Sequence, residues 1–254
     1  MKPNILIVND DGIFAPGIKA LAEAMESLGS ITIVAPEKEQ SGKSHSISLN
    51  TPIRIKPVKL KKSLKGWSVL GTPVDSAKIA LKILLKRKPD LVISGINLGA
   101  NLGKNLIYSG TVSAAFEGAI LGIPSAAISL DSFKASRFSV AKDVAFSIAN
   151  HLLKHKLPKG TMLNVNVPYI NAKKLKGYLV TKQGELSFID SYEKRVDPRG
   201  QSYYWIKGVI GNTDQSIEYD GEAVANGYVS ITPIHYNITN KLYMNELKHK
   251  IIHE

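Results

Sequence analysis

The chain has 254 residues, 44% of them hydrophobic, enough to bury the core of one large α/β domain or of two smaller ones. It contains no cysteine, which excludes disulfide staples, thiolate metal sites and a cysteine nucleophile, and leaves any metal to oxygen or imidazole ligands. The net charge of +12 predicts attraction to polyanions, yet the basic runs Lys59, Lys61, Lys62, Lys65 and Lys86, Arg87, Lys88 lack the aromatic interleaving of a nucleic-acid reader, and a solvated basic surface explains them.

The opening MKPNILIVNDD lacks the long apolar core of a secretory signal, and no run approaches the roughly 20 apolar residues that span a bilayer. A soluble cytoplasmic protein without membrane contact is expected. NILIV (Asn4–Val8) reads as a fully buried strand. GIKALAEAMESLG reads as a helix, with Ile18, Leu21, Ala22, Met25 and Leu28 on one face and Gly29 as its stop. ITIVAP (Ile31–Pro36) is a second strand, followed by the polar EKEQSGKSHSIS. TPVDSAKIALKILL opens a helix with Thr72 as N-cap, Pro73 in the first turn and Asp75 near the positive end of the helix dipole. DLVISG (Asp90–Gly95) is a third buried strand and runs into the Gly- and Asn-rich GINLGANLGKNLIYSG. TVSAAFEGAILGIP reads as a helix, SAAISL as a strand and RFSVAKDVAFSIANHLLKHKL as a long amphipathic helix.

From LNVNVP (Leu163–Pro168) onward the texture changes to short β-rich runs, YYWIKGVI and GYVSITPI among them, before a Lys- and His-containing helical tail. The pattern predicts α/β architecture: a Rossmann-like, doubly wound, mostly parallel sheet in three α/β/α layers. A single domain is expected over residues 1–254, with the core over about 1–170 and a β-hairpin and C-terminal helix over 171–254.

Ligands of such sheets bind outside the carboxyl ends of the strands. Three polar segments begin there: Asn9-Asp10-Asp11-Gly12, Gln40 to Ser46, and Gly95 to Gly110. Adjacent Asp10 and Asp11 each make the other harder to ionise unless a cation or strong donors lie between them. Both reach one ion only if the backbone leaves the extended form, which Gly12 permits. Carboxylate, hydroxyl and amide oxygens suit a hard divalent ion such as Mg²⁺ or Mn²⁺. Taken singly, the DDG turn, the Ser41-Gly42 turn beside Lys43 and His45, and an N-cap at Ser109 or Thr111 all have an ordinary structural explanation. Their convergence, with Asn97, Asn101 and Asn105 spaced among glycines at a strand end, favours a site. Ser109-Gly110-Thr111 opens a helix whose unsatisfied N–H groups and dipole attract an anion.

The stretches ILIVNDDG, APGI, VAPEKEQSG, SLNTPI, GTPVDSAKIAL, PDLVISGIN, GAN, YSGTVSAAFEGAILGIPS, LNVNVP, DPRG, YYWI and GYVSITPI occur in order over nearly the whole chain, and together they resemble the SurE family, the survival-protein-E nucleotidases. The resemblance implies a phosphomonoesterase that hydrolyses nucleoside 5′-monophosphates, with 3′-monophosphates and short polyphosphate as further candidates, and that uses one divalent metal ion (Mg²⁺ or Mn²⁺) per subunit. It puts the metal ligands on Asp10, Asp11, Ser41 and Asn97. Its phosphate contacts fall on Asn101, Ser109, Gly110 and Thr111, with Asn9 and Gly42 close by. It also implies a homo-oligomer, dimer or tetramer, built through the C-terminal region. The chain departs from the family pattern at Asn105, where members often carry an acid, at VTKQGELSFID, which lacks the usual arginines, and at Asn237, where Asp is common.

On this reading Asp10 orients or deprotonates the attacking water and Asp11 is chiefly a ligand, while direct attack by Asp10 on phosphorus stays open. Two other classes of function stay open as well. One is a nucleotide- or nucleic-acid-binding regulator that uses the same anion loop without hydrolysis; the other is an assembly protein whose C-terminal arms matter most. His151 and His155 have chelating spacing but no third ligand, and no histidine is assigned a catalytic role. Tyr203, Tyr204 and Trp205 suit either a nucleobase or an interface.

Overall fold

In the strand Asn4–Val8, Ile5 and Ile7 pack into one buried cluster while Leu6 and Val8 pack into another, as a period of two requires of a strand covered on both faces. The computed structural model describes residues 2–61 and 64–251, so Lys62 and the extreme C-terminal residues lie outside it. Its strands are β1 (Asn4–Val8), β2 (Ser30–Pro36), β3 (Arg54–Lys59), β4 (Lys65–Leu70), β5 (Leu91–Leu98), β6 (Ser125–Asp131), β7 (Thr161–Pro168), β8 (Tyr178–Val180), β9 (Ser187–Val196), β10 (Ser202–Gly211) and β11 (Val229–His235). Nine of them form one sheet in the order β3-β4-β2-β1-β5-β6-β7-β11-β8.

From β4 through β7 the neighbours are parallel, whereas β3 with β4 and β7 with β11 are antiparallel. Helices α1 (Pro16–Met25) and α4 (Ser139–Lys154) cover the Ile5 and Ile7 face; α2 (Pro73–Ile79) and α3 (Gly110–Ile120) cover the other. Two short C-terminal helices, α5 (Asp220–Ala225) and α6 (Lys241–Ile251), complete the described chain. Among the described residues no helix is long and apolar enough to cross a membrane.

The predicted doubly wound, mostly parallel sheet is what forms. Thr72 caps α2 with a reciprocal box: its Oγ1 accepts from the Asp75 N–H at 3.0 Å, and its own N–H donates to Asp75 Oδ2 at 2.9 Å. The first helix departs from expectation, for it stops at Met25 rather than reaching Gly29. There the chain turns against Pro3, whose carbonyl oxygen would lie 2.3 Å from any Cβ at position 29. Strands β3 and β4 were not anticipated. Beyond residue 170, β8 and β11 extend the central sheet itself, while β9 and β10 pair as a separate two-stranded ribbon.

Candidate functional site

β1 ends at Val8, and the next four residues form a turn held by one side chain. Asn9 Nδ2 donates to the Gly12 carbonyl at 2.9 Å, and the Gly12 N–H donates to Asn9 Oδ1 at 3.3 Å. With φ at 101°, Gly12 adopts a conformation that L residues avoid, and the backbone thereby leaves the strand at the two acids. Both ends of the Asn9 amide are therefore engaged in shaping the carboxylate turn.

The N-terminus of α3 meets this turn. Ser109 is the N-cap, its Oγ accepting from the Val112 N–H at 3.2 Å, and Thr111 Oγ1 donates to Asp10 Oδ1. At position 110 only glycine fits, because a Cβ would stand 2.8 Å from Asp10 Cβ and 3.0 Å from its Oδ2. Asp10 is thus pressed against the positive end of α3. On its other side Asp11 is stabilised in its charged form by the Leu98 N–H, which brings it to the end of β5. A bulge between Gly95 and Asn97 shifts the β5–β6 register there, so that Asn97 lies opposite Ser129. The Asn97 Nδ2 donates to the carbonyls of Gly99 at 2.7 Å and Leu98 at 3.4 Å, so Oδ1 is the end of the amide that could accept from or ligate another group.

The loop between Asn97 and Ser109 is clamped from below by residues that sequence reasoning did not assign. Asn166 takes both backbone groups of Asn101: Oδ1 accepts from its N–H at 2.7 Å and Nδ2 donates to its carbonyl at 3.1 Å. Asn164 donates to the same carbonyl at 2.8 Å, and the Asn101 side chain donates to Ser129 Oγ at 2.8 Å. All are buried. Further along, Asp220 accepts from the N–H groups of Gly103 (2.9 Å), Gly184 (3.0 Å) and Gly221 (2.8 Å). Asn105 accepts from the Phe188 N–H at 3.1 Å through its Oδ1, an atom type that the acid expected there shares.

The segment from Gln40 to Ser48 closes the site from β2. The Gln40 N–H donates to the Asp10 carbonyl at 2.8 Å, which seats the segment on the acid turn. Ser44, left-handed at φ 53°, is held by bonds from its N–H and Oγ to the carbonyls of Tyr108 (3.0 Å) and Ile107 (2.8 Å). His45 bonds Glu117 at 2.8 Å, and Ser48 Oγ bonds Asp75 at 2.7 Å. Ser41 itself is exposed and donates to Glu39 Oε1 at 2.7 Å, while Gly42 is exposed, with none of the described residues beyond its chain neighbours within 4 Å of where a Cβ would stand. The structure therefore brings together Asp10, Asp11, Thr111, Gly110 and the end of β5, whereas the Ser41 hydroxyl is turned to Glu39, whose charge repels both acids.

Burial is the main cause that raises the Asp10 carboxyl above its ordinary range, against the lowering effect of Thr111. Asp11 is pushed up to about 7, first by burial, then by Asp10 beside it, with Glu39 adding to the repulsion. Its Oδ2 is buried and has no hydrogen-bond partner among the described residues. Such an atom in a native interior calls for a partner that the protein itself does not supply. Among the described residues no three His, Asp or Glu side chains are grouped to hold a metal, so a cation held here would need amide, hydroxyl or water oxygens to complete its shell. Those oxygens and two raised acids suit a hard divalent ion.

His151, His155 and His235 stay apart from this cluster. His151, exposed on α4, and His155, just past its end, lie 4.5 Å apart between ring centroids, and His235 bonds the Lys159 carbonyl and the Asn237 N–H.

The family model for survival protein SurE matches residues 5–190. The chain is 47% identical over 247 residues to the 5′-nucleotidase SurE of Symbiobacterium thermophilum, covering 96% of each chain. It is 44% identical over 249 residues to that of Carboxydothermus hydrogenoformans, covering 96% of this chain and 94% of the relative. The crystal structure of the Sure protein from Aquifex aeolicus superposes with a TM-score of 0.84 at 40% identity, over 98% of this chain and 99% of that one. Matched along almost its whole length in sequence and in fold, the chain belongs to the SurE family.

Proposed function

We propose that the chain is a divalent-metal-dependent 5′-nucleotidase, a phosphomonoesterase that converts nucleoside 5′-monophosphates to nucleoside and phosphate. The activity carried by its relatives' names supports the reaction. The observation that carries the chemistry is the Asp10–Thr111 bond, which sets the first of two adjacent acids against the N-terminus of α3. Asp10, Asp11, Ser41 and Asn97 would hold one Mg²⁺ or Mn²⁺. When bound, the cation supplies charge neutralisation of a phosphate oxygen and a lowered pKa for a coordinated water. Phosphoryl transfer otherwise depends on positioning and charge stabilisation. Ser109, the Gly110 N–H and Asn101 hold the phosphate oxygens, while Thr111 fixes Asp10 through both its hydroxyl and its N–H. Asp10, anchored by Thr111, orients the attacking water and takes its proton. Asn9 and Gly42 shape the two turns that flank the phosphate.

The ribbon of β9 and β10 supports a homo-oligomer. One face carries Tyr203, Trp205, Val209 and Ile189, the other Tyr204, Ile206, Ile210, Tyr192 and Phe188, and all are exposed. An isolated two-stranded ribbon is marginal in water, so a second copy of the chain is the natural cover for it. The reading places the enzyme in the cytoplasm. Phosphate release from AMP by the wild type and by Asp10→Ala, with and without chelator, tests the reaction. The expected result is release by the wild type alone, abolished by chelator. Tight nucleotide binding without release, surviving the substitution, would identify a binding protein instead.

A further inference from the structure

The polar residues gathered around Asp10 account for a phosphate but not for a base, which needs a flat apolar surface. Phe133 offers one. It lies just after β6, beside the end of β5. A Cβ at Gly99 would fall 2.4 Å from Phe133 Cε1 and 3.0 Å from its Cδ1 and Cζ, so this side of the ring rests directly on the Gly99 backbone. Gly99 is itself fixed: its N–H donates to the Leu130 carbonyl at 2.9 Å, and its carbonyl accepts from Asn97 Nδ2 at 2.7 Å. One backbone residue and one hydrogen bond therefore separate the ring from the amide proposed as a cation ligand. Yet Phe133 is 77% exposed.

An apolar ring left in water loses the free energy that burial would give it, and here it is anchored at the rim of a polar site. A nucleoside 5′-monophosphate whose phosphate rests at the N-terminus of α3 carries its base one ribose further out. Resting on the nucleotidase reading above, we infer that Phe133 is the stacking platform for the nucleobase. Every base presents a π-face, so such a platform favours nucleotides over phosphate esters without a base and is tolerant of base identity. Two other exposed aromatics flank the acid turn and the α3 cap, Phe14 after Asp11 and Tyr108 before Ser109. Tyr108 adjoins the phosphate end of the site, since its carbonyl is bound by Ser44 and the next residue caps α3.

The experiment compares kcat/KM for AMP and for ribose 5-phosphate in the full-length protein with the same divalent cation, in the wild type, Phe133→Leu and Phe133→Tyr. The expected result for Phe133→Leu is a loss of about tenfold on AMP, mostly in KM, as removal of a base–aromatic stack produces. Ribose 5-phosphate turnover stays at the wild-type level and serves as the check on folding. Phe133→Tyr keeps the preference. An unchanged AMP to ribose 5-phosphate ratio in Phe133→Leu overturns the platform while leaving the nucleotidase intact. Equal loss on both substrates overturns it too, because the ring would then merely prop Gly99. Loss of the preference in Phe14→Leu or Tyr108→Leu, with Phe133→Leu silent, places the base elsewhere and also overturns it. A wild type inert on both substrates refutes the nucleotidase reading and this inference with it.

Discussion

Thr111 Oγ1 donates to Asp10 Oδ1, joining the first turn of α3 to the end of β1 across a separation of 101 residues. A hydroxyl bound to a buried carboxylate of this kind contributes about 1.5–3 kcal/mol. Thr111→Val should therefore lower kcat by about one to two orders of magnitude, whereas Thr111→Ser should retain most of it. Steady-state phosphate release measures both. Equal activity in the Val and Ser variants would show that the bond has no part in orienting Asp10.

Asp11 makes the metal-free protein sensitive to pH. Its folded value of about 7 lies above the ordinary 3.8, so between those limits the folded state binds more protons than the unfolded one. The stabilisation is complete below about pH 4 and is lost as pH rises through about 7. In the presence of chelator, melting temperature should fall across this window, Asp10 and Asp11 titrating as a pair. Asp11→Asn should flatten the slope, and added Mg²⁺ should raise the high-pH end. Thermal melts at a series of pH values would contradict the assignment if the slope were the same in Asp11→Asn.

Asn166→Leu keeps the branching and heavy-atom count of the side chain but strips the Asn101 N–H of its acceptor, leaving a buried donor unpaired. The cost should be about 1–3 kcal/mol in urea unfolding. Activity should fall at least about tenfold, since a misplaced positioning loop is costly out of proportion to its contacts. Asn166→Asp retains the acceptor and should recover part of the stability. A Leu variant with normal turnover would show that the loop holds its shape without the clamp.

The exposed ribbon gives a mass prediction. Ile206 and Tyr192 lie directly opposite each other on one of its faces. Ile206→Glu should shift the protein to a smaller species in light scattering coupled to gel filtration and speed proteolysis between residues 187 and 211. An unchanged mass would remove the ribbon from the interface.

How much of this was readable beforehand follows from where the determinants lie. Asn4–Val8 announces its strand through an unbroken apolar run, and Thr72, Pro73 and Asp75 announce a helix start through capping chemistry, because both signals are local. The acid turn was readable for the same reason, since Gly12 follows the two carboxylates directly. Strand β3 was not, because its exposed Arg54, Lys56, Pro57 and Lys59 suit an edge and mask the alternation. Nor could Asn164, Asn166 or Asp220 be assigned: each acts on backbone more than 60 residues away, and only the β6–β7–β11 pairing brings it there. The bulge that aims Asn97 leaves no mark in composition.

The grip of Asp220 on Gly103 has a bearing on synthesis. Every oxygen donor proposed for the ion has left the ribosome once residue 111 is out, yet the loop that completes the cradle acquires its last anchor only about a hundred residues later. A nascent or truncated polypeptide lacking that aspartate carries the reactive pair without a fixed seat for substrate. Phosphate release is therefore expected only from polypeptides long enough to include Asp220.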